Sequence, residues 1–147
     1  MTRQCMPSER KSVTRTFRLA YTHSDGKPDI MKFYFTAGLY DDGRVGEVFV
    51  KADKVGSLAS GALEAVGIML SMLLQSGVPL EDILPKLRHT RYPPSGFTKD
   101  PTLPSCSSPL DLLAQWLAQK FLPDPLDIKT TPSLEESNGA NGTQTDP

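Results

Sequence analysis

The 147-residue chain predicts an α+β domain, a small antiparallel sheet of about three strands packed against about three helices. Apolar residues alternate with period two through the first third of the chain, which is the signature of half-buried strands. Beyond Gly56 the period changes to that of a helix. Turn and cap signals then separate the segments at SDGKP (24–28), YDDGR (40–44) and SSPLD (107–111).

Residues 1–12 form a polar lead-in to a domain expected over 13–122. Val13, Phe17 and Leu19 sit at even spacing with Thr14, Thr16 and Arg18 between them, so the two sets occupy opposite faces of a first strand. Asp25-Gly26 turns the chain, and Pro28 is expected to block continued pairing. Met31, Phe33, Phe35, Ala37 and Leu39 make the stripe of a second strand. Asp41, Asp42 and Gly43 reverse it, and EVFVK (47–51) runs back as the third. Leu58, Ala62, Leu63, Val66, Met69, Leu70 and Leu73 then cover so much of one helix that it is expected to be buried on most sides. Gly77 ends this helix, and Pro79 opens a second through Leu80, Ile83, Leu84 and Leu87, with Pro85 removing one of its hydrogen bonds. Residues 90–106 read as a Pro- and Gly-rich loop. Ser108-Pro109-Leu110-Asp111 caps a third helix, whose core stripe is Leu110, Leu113, Leu117 and Phe121 with Trp116 beside it. Residues 123–147 carry too little apolar surface to offset ordering entropy and are expected to be a disordered tail.

Composition excludes several classes of function. A formal net charge of -1 supplies no long-range field for general nucleic-acid binding, so any phosphate recognition must be local. The two cysteines, Cys5 and Cys106, lack CxxC spacing and argue against a zinc knuckle or dithiol centre. MTRQCMPSERKS has no apolar signal core, which predicts a cytoplasmic protein. The longest apolar run, residues 62–74, is broken by Glu64 and Ser71 and is expected to be a core helix, not a membrane span.

Two stretches offer candidate sites. Lys54-Val55-Gly56-Ser57 leads into the first helix, where free amides and a small residue suit an anion, and Arg44 and Lys51 on the preceding hairpin have the right charge to converge there. The same residues serve equally as scaffold: Ser57 as an N-cap, Gly56 as a strand-to-helix joint and Arg44 as an exposed turn residue. In HTRYPPSGFT (89–98), His89 has acid–base chemistry and Arg91 can grip an anion, yet a His after a helix also serves as a terminal cap. No GxSxG elbow, triad spacing or metal-ligand spacing accompanies them.

LYDDGRVGEVFVKADKVGS (39–57), QSGVPLEDILPKLRHTRYPPSGFT (75–98) and SPLDLLAQWLAQKFL (108–122) together resemble the C-terminal TSCPD-type domain of adenosylcobalamin-dependent ribonucleotide reductases. The resemblance runs in unbroken order from about Pro7 to Leu122. It departs from the family pattern in two places: Pro109 stands where the family has a cysteine, and Arg15 stands where a His is expected before Phe17. The resemblance implies a detached, non-catalytic module serving deoxyribonucleotide synthesis, with the radical barrel and adenosylcobalamin on a separate catalytic subunit and no cofactor in this chain. Its implied surface for a nucleotide or for that subunit comprises Arg44, Lys51, Lys54, Gly56, Ser57, His89 and Arg91. An independent nucleotide-binding regulator is the alternative, and a self-sufficient enzyme using His89 a third reading.

Overall fold

The computed structural model describes residues 2–123, so the expected tail lies, but for Pro123, outside the described residues. The fold is α+β. Strands β1 (Ser12–Thr22), β2 (Pro28–Leu39) and β3 (Val45–Ala52) form a meander, in which Gly43 at φ 90° supplies the left-handed residue that closes the second turn. Pro28 is the first residue of β2, paired with Thr22: at a strand's start its missing N–H costs no ladder bond, so it opens the strand and does not block it.

Two further strands, β4 (Gly96–Phe97) and β5 (Ser105–Cys106), extend the sheet in the antiparallel order β3-β2-β1-β4-β5. The sheet thus has five strands instead of about three. Two-residue strands carry no readable periodicity, and the loop expected over 90–106 hides them. Gly96 accommodates the pairing, since a Cβ there would lie 1.9 Å from the Ala20 carbonyl oxygen.

One face of this sheet is the core. Phe17, Leu19, Phe33, Phe35 and Val48 point inward against α3 (Pro109–Phe121), which contributes Leu112, Leu113, Trp116 and Leu117. The Phe35 and Trp116 ring centroids are 6.1 Å apart. Ile83 and Leu84 of the eight-residue α2 (Leu80–Leu87) close the core from the side. Each such side chain contributes about 1.5–3 kcal/mol through burial.

Helix α1 (Ser57–Gln75) contradicts the expectation of a core helix, because only Gly67, Leu70 and Leu74 are buried in it. The helix lies along the edge of β3 and covers its unpaired backbone. The Val48 N–H donates to Ser71 Oγ at 3.0 Å, and Gln75 Nε2 donates to the Gly46 carbonyl at 3.0 Å. Gly67 permits this approach, as a Cβ would sit 2.9 Å from the Val48 carbonyl oxygen. An edge accepts one stripe of a helix, and nothing in the described residues covers the opposite side. The lead-in also takes part: Gln4 N–H donates to the Gln75 carbonyl at 2.8 Å, and Arg10 pairs with the buried Glu47.

The polar joint of the fold is Asp111, whose side chain is 3% exposed. Its carboxylate accepts from Arg88 Nη1 at 2.5 Å, the His89 N–H at 2.8 Å, the Ser107 N–H at 3.0 Å and Gln115 Nε2 at 3.1 Å. Ser108 caps α3 by accepting from the Asp111 N–H at 3.0 Å, with Pro109 in the first turn. Burial alone would raise the Asp111 carboxyl, but the two amide donors and the Arg88 guanidinium hold it below its ordinary value of 3.8.

Two outcomes follow for stability. Gly67→Ala should destabilise by about 1–3 kcal/mol in urea unfolding, although alanine is the better helix former by about 1 kcal/mol, because the added Cβ meets β3 backbone. An unchanged or raised midpoint would show that α1 does not press on the strand. Asp111→Ala should cost about 3–5 kcal/mol by stranding Arg88 and two amides. The lowered carboxyl contributes stability above its unfolded value of 3.8 and loses it as pH falls through the folded value below that. The gap between wild type and Asp111→Asn should therefore narrow below about pH 4 and hold constant above it, a trend measured by urea melts across the pH range.

Candidate functional site

The seven residues expected to share a surface do not converge. Arg44 lies in the β2–β3 turn, where its Nε donates to Asp42 at 2.7 Å and its guanidinium stands 4.9 Å over the Tyr40 ring. Lys51 is near the other end of β3, about 20 Å along a strand rising about 3.3 Å per residue. His89 and Arg91 follow α2 on the β5 side of the molecule, with the Tyr92 N–H donating to the Ser107 carbonyl at 3.2 Å. About 19 Å of sheet width separates β5 from β3.

Lys51, Lys54, Gly56 and Ser57 do stay together. Lys54, at φ 56°, reaches back to β2: its Nζ donates to Asp29 Oδ1 at 2.9 Å and to the Ile30 carbonyl at 3.0 Å. Gly56 is the N-cap of α1, and Ser57 is its first helical residue, so no side chain caps the helix. Ser57 therefore does not serve as the N-cap. Asp29 also accepts from His23 at 2.9 Å, and Lys54 and His23 together hold its carboxyl well below the ordinary range.

His89 is exposed and serves the fold through its backbone, at φ 67°, by donating to Asp111. No acid is bonded to its ring among the described residues. Cys106 is buried, and burial pushes its thiol up to about 11, so it remains protonated and unreactive at neutral pH.

A different surface combines more of the charge and aromatic area. Residues directly paired across antiparallel strands share a face. The register Thr16↔Tyr34, Arg18↔Lys32, Tyr34↔Lys51 and Thr36↔Phe49 defines the face opposite the core, extended to β4 by Ala20↔Phe97. No helix among the described residues covers it: Tyr34 is 37%, Phe49 46% and Phe97 70% exposed. Arg18 and Lys32 stand directly opposite one another, and neither they nor Lys51 form an ion pair among the described residues. The strand carboxylates bordering the face are engaged elsewhere, Glu47 with Arg10 and Asp53 with the Lys32 N–H at 2.7 Å. Sequence reasoning found only Lys51 of this set. The period-two pattern did place Arg18, Lys32 and Tyr34 on the polar side, but it could not tell an open face from a covered one.

Between this face and α1 runs a groove of about 760 Å³, lined by Phe49, Lys51, Leu63, Glu64 and Ile68 among others. It does not fit a corrin cofactor. It is open along one side, contains no histidine, and neither His23 nor His89 lies in it. Among the described residues no three His, Cys, Asp or Glu side chains cluster as metal ligands.

Comparison with known proteins identifies the family. The TSCPD domain family matches residues 7–121. The vitamin B12-dependent ribonucleotide reductase of Rhodopirellula baltica is 37% identical over 120 residues, covering 82% of this chain and 11% of that protein. The enzyme of the same name from Streptantibioticus cattleyicolor is 36% identical over 121 residues, 82% of this chain and 19% of its own length. For the Bradyrhizobium diazoefficiens enzyme the figures are 31% over 121 residues, 82% and 9%. No solved structure matches. The chain thus spans about a tenth to a fifth of the length of these relatives. Arg88, His89, Ser107, Ser108 and Asp111, the residues of the buried joint, all lie inside the matched span, and the chain belongs to the TSCPD domain family.

Proposed function

We propose that this TSCPD domain is a non-catalytic accessory of cytoplasmic ribonucleotide reduction that docks through its open sheet face onto a catalytic chain carrying the radical barrel and adenosylcobalamin. The opposed pair Arg18 and Lys32 carries this reading. Like charges directly opposite in a sheet destabilise it, so the pair is unfavourable for folding and calls for an anionic partner. Lys51 adds a third cation through its pairing with Tyr34. Tyr34, Phe49 and Arg18 are also the residue types that anchor protein interfaces. Lys54, bonded at Ile30, with Gly56 and Ser57, borders the same face, whereas Arg44, His89 and Arg91 lie away from it.

A nucleotide is the second reading. It is supported by the adjacency of Tyr34 and Phe49 to Lys32 and Lys51, a stacking platform beside phosphate-binding charge. The spread of these residues over four strands, from Phe49 on β3 to Phe97 on β4, favours the protein partner.

The test is titration calorimetry of the full chain against a vitamin B12-dependent reductase catalytic chain from which the TSCPD-matching segment has been removed, with ATP and dATP titrated in parallel. Binding of the catalytic chain should weaken at least about tenfold, or 1.4 kcal/mol, in Arg18→Gln with Lys32→Gln, while thermal stability holds or rises as the opposed cations disappear. Arg91→Ala should bind as wild type does. If wild type binds the nucleotides alone, the second reading replaces the first; if it binds nothing, both fall. The chain by itself, supplied with adenosylcobalamin, dithiol and ribonucleotide, should form no deoxyribonucleotide, and turnover by purified protein would make it an enzyme in its own right.

A further inference from the structure

The outer side of α1 is an apolar surface that the other described residues leave bare. Leu58 is 88% exposed, Ile68 and Met69 are each 56%, Met72 is 49% and Leu73 is 44%. Taking a fully exposed residue of this size at roughly 190 Å², these five present roughly 550 Å² on one helix face, near the upper limit for an ordinary monomer surface. By length and composition this helix is apolar enough to cross a membrane, yet little of it is buried. The side chains that β3 engages, Gly67, Ser71 and Gln75, lie on the other side.

We infer that this face is covered by a second copy of the same chain, with the two α1 helices packed antiparallel about a two-fold axis near Ala65. Three observations select that occupant. The first is area: fully covered, two such faces bury up to roughly 1,100 Å² from these five residues, the scale of the roughly 1,000 Å² that a specific interface requires. The second is shape. The bare stripe is graded, with small residues Gly61, Ala62 and Ala65 in the first half and Ile68, Met69 and Met72 in the second. A two-fold at Ala65 sets Gly61 against Met69 and Ala62 against Ile68, so large meets small on both sides of the axis, while Leu58 meets Met72 at each end of the seam. A parallel pair would instead stack Ile68, Met69 and Met72 on their own copies and Gly61, Ala62 and Ala65 on theirs. The third is charge: Leu58, Gly61, Ala62, Ala65, Met69 and Met72 carry none, and α1 has no acidic residue in its first turn or basic residue in its last. Antiparallel packing then brings the uncapped amino end of each helix beside the carboxyl end of its neighbour, the favourable alignment of the two macrodipoles.

The inference stands apart from the docking proposal, because Leu58, Ala65 and Met69 do not line the groove beside the open sheet face, although Ile68 and Met72 do, and because the test contains no reductase chain. Sedimentation velocity of the full chain at about 100 µM should give twice the chain mass, and Ala65→Glu, which places like charges on the axis, should weaken self-association at least 30-fold. Because Ala65 is exposed, circular dichroism and the melting curve of diluted, monomeric Ala65→Glu should match those of diluted wild type, separating lost assembly from lost folding. Orientation is read by cysteine cross-linking in a Cys5→Ser background, with Cys106 buried. Ala65→Cys should cross-link to itself rapidly, and Leu58→Cys should not, since its copies lie about 21 Å apart in the antiparallel pair. A monomer at all concentrations overturns the inference, including one that instead binds phosphatidylcholine–phosphatidylglycerol vesicles. So does a dimer indifferent to Ala65→Glu, or one in which Leu58→Cys cross-links as fast as Ala65→Cys.

Discussion

The carboxylate of Asp111 is the constraint on which the second half of the molecule depends. Residues 80–121 comprise two helices and two two-residue strands, elements too short to position one another by packing alone. A single buried acceptor gathers the end of α2, the approach to α3 and the third turn of α3 by accepting from Arg88, His89, Ser107 and Gln115. Removing a charge from water is costly, and here the surrounding donors offset that cost only while all of them stay in place. That coupling makes the joint a specifier of geometry: the α3 core face of Leu112, Leu113 and Trp116 meets the sheet in one orientation. It also explains why His89 sits in a left-handed backbone conformation with its ring in solvent. The residue with the most suggestive side-chain chemistry contributes through its amide.

At the opposite edge, the same problem of unpaired backbone is solved by α1. Gly67, Ser71 and Gln75, four residues apart, present one narrow polar and small-residue stripe to β3. Using that stripe against an edge, instead of laying the helix flat on a sheet face, commits less than half of the helix circumference. The remaining apolar surface is a consequence of this geometry, and it is the physical basis for self-association.

Membership of the TSCPD family sets the chemical context, and the geometry narrows the role. Among the described residues the sheet is covered on one side only. Its open side concentrates aromatic and cationic residues and carries an opposed Arg18–Lys32 pair that works against the sheet's own stability. Residues that disfavour folding are where function is most economically sought.

The sequence by itself determined what is local. Period-two alternation placed β1, β2 and β3; Ser108 and Pro109 marked the start of α3; Gly77 marked the end of α1; and three ordered segments carried the family resemblance. These features depend on neighbours a few residues away, where backbone dihedrals and side-chain caps act. Only the tertiary structure decided the rest. The strands β4 and β5 exist because Gly96 can approach Ala20 and Cys106 can pair with Gly96, contacts between residues far apart in the chain. Helix α1 has the composition of a core helix, and its exposure depends on which other elements remain to cover it, a quantity no window of sequence contains. Likewise Arg44 and Lys51 are neighbours in sequence but stand at opposite ends of an extended strand, whereas Arg18 and Lys32 are brought face to face by hairpin register. Charge type is written in the residue; convergence of charges is set by how the backbone pairs.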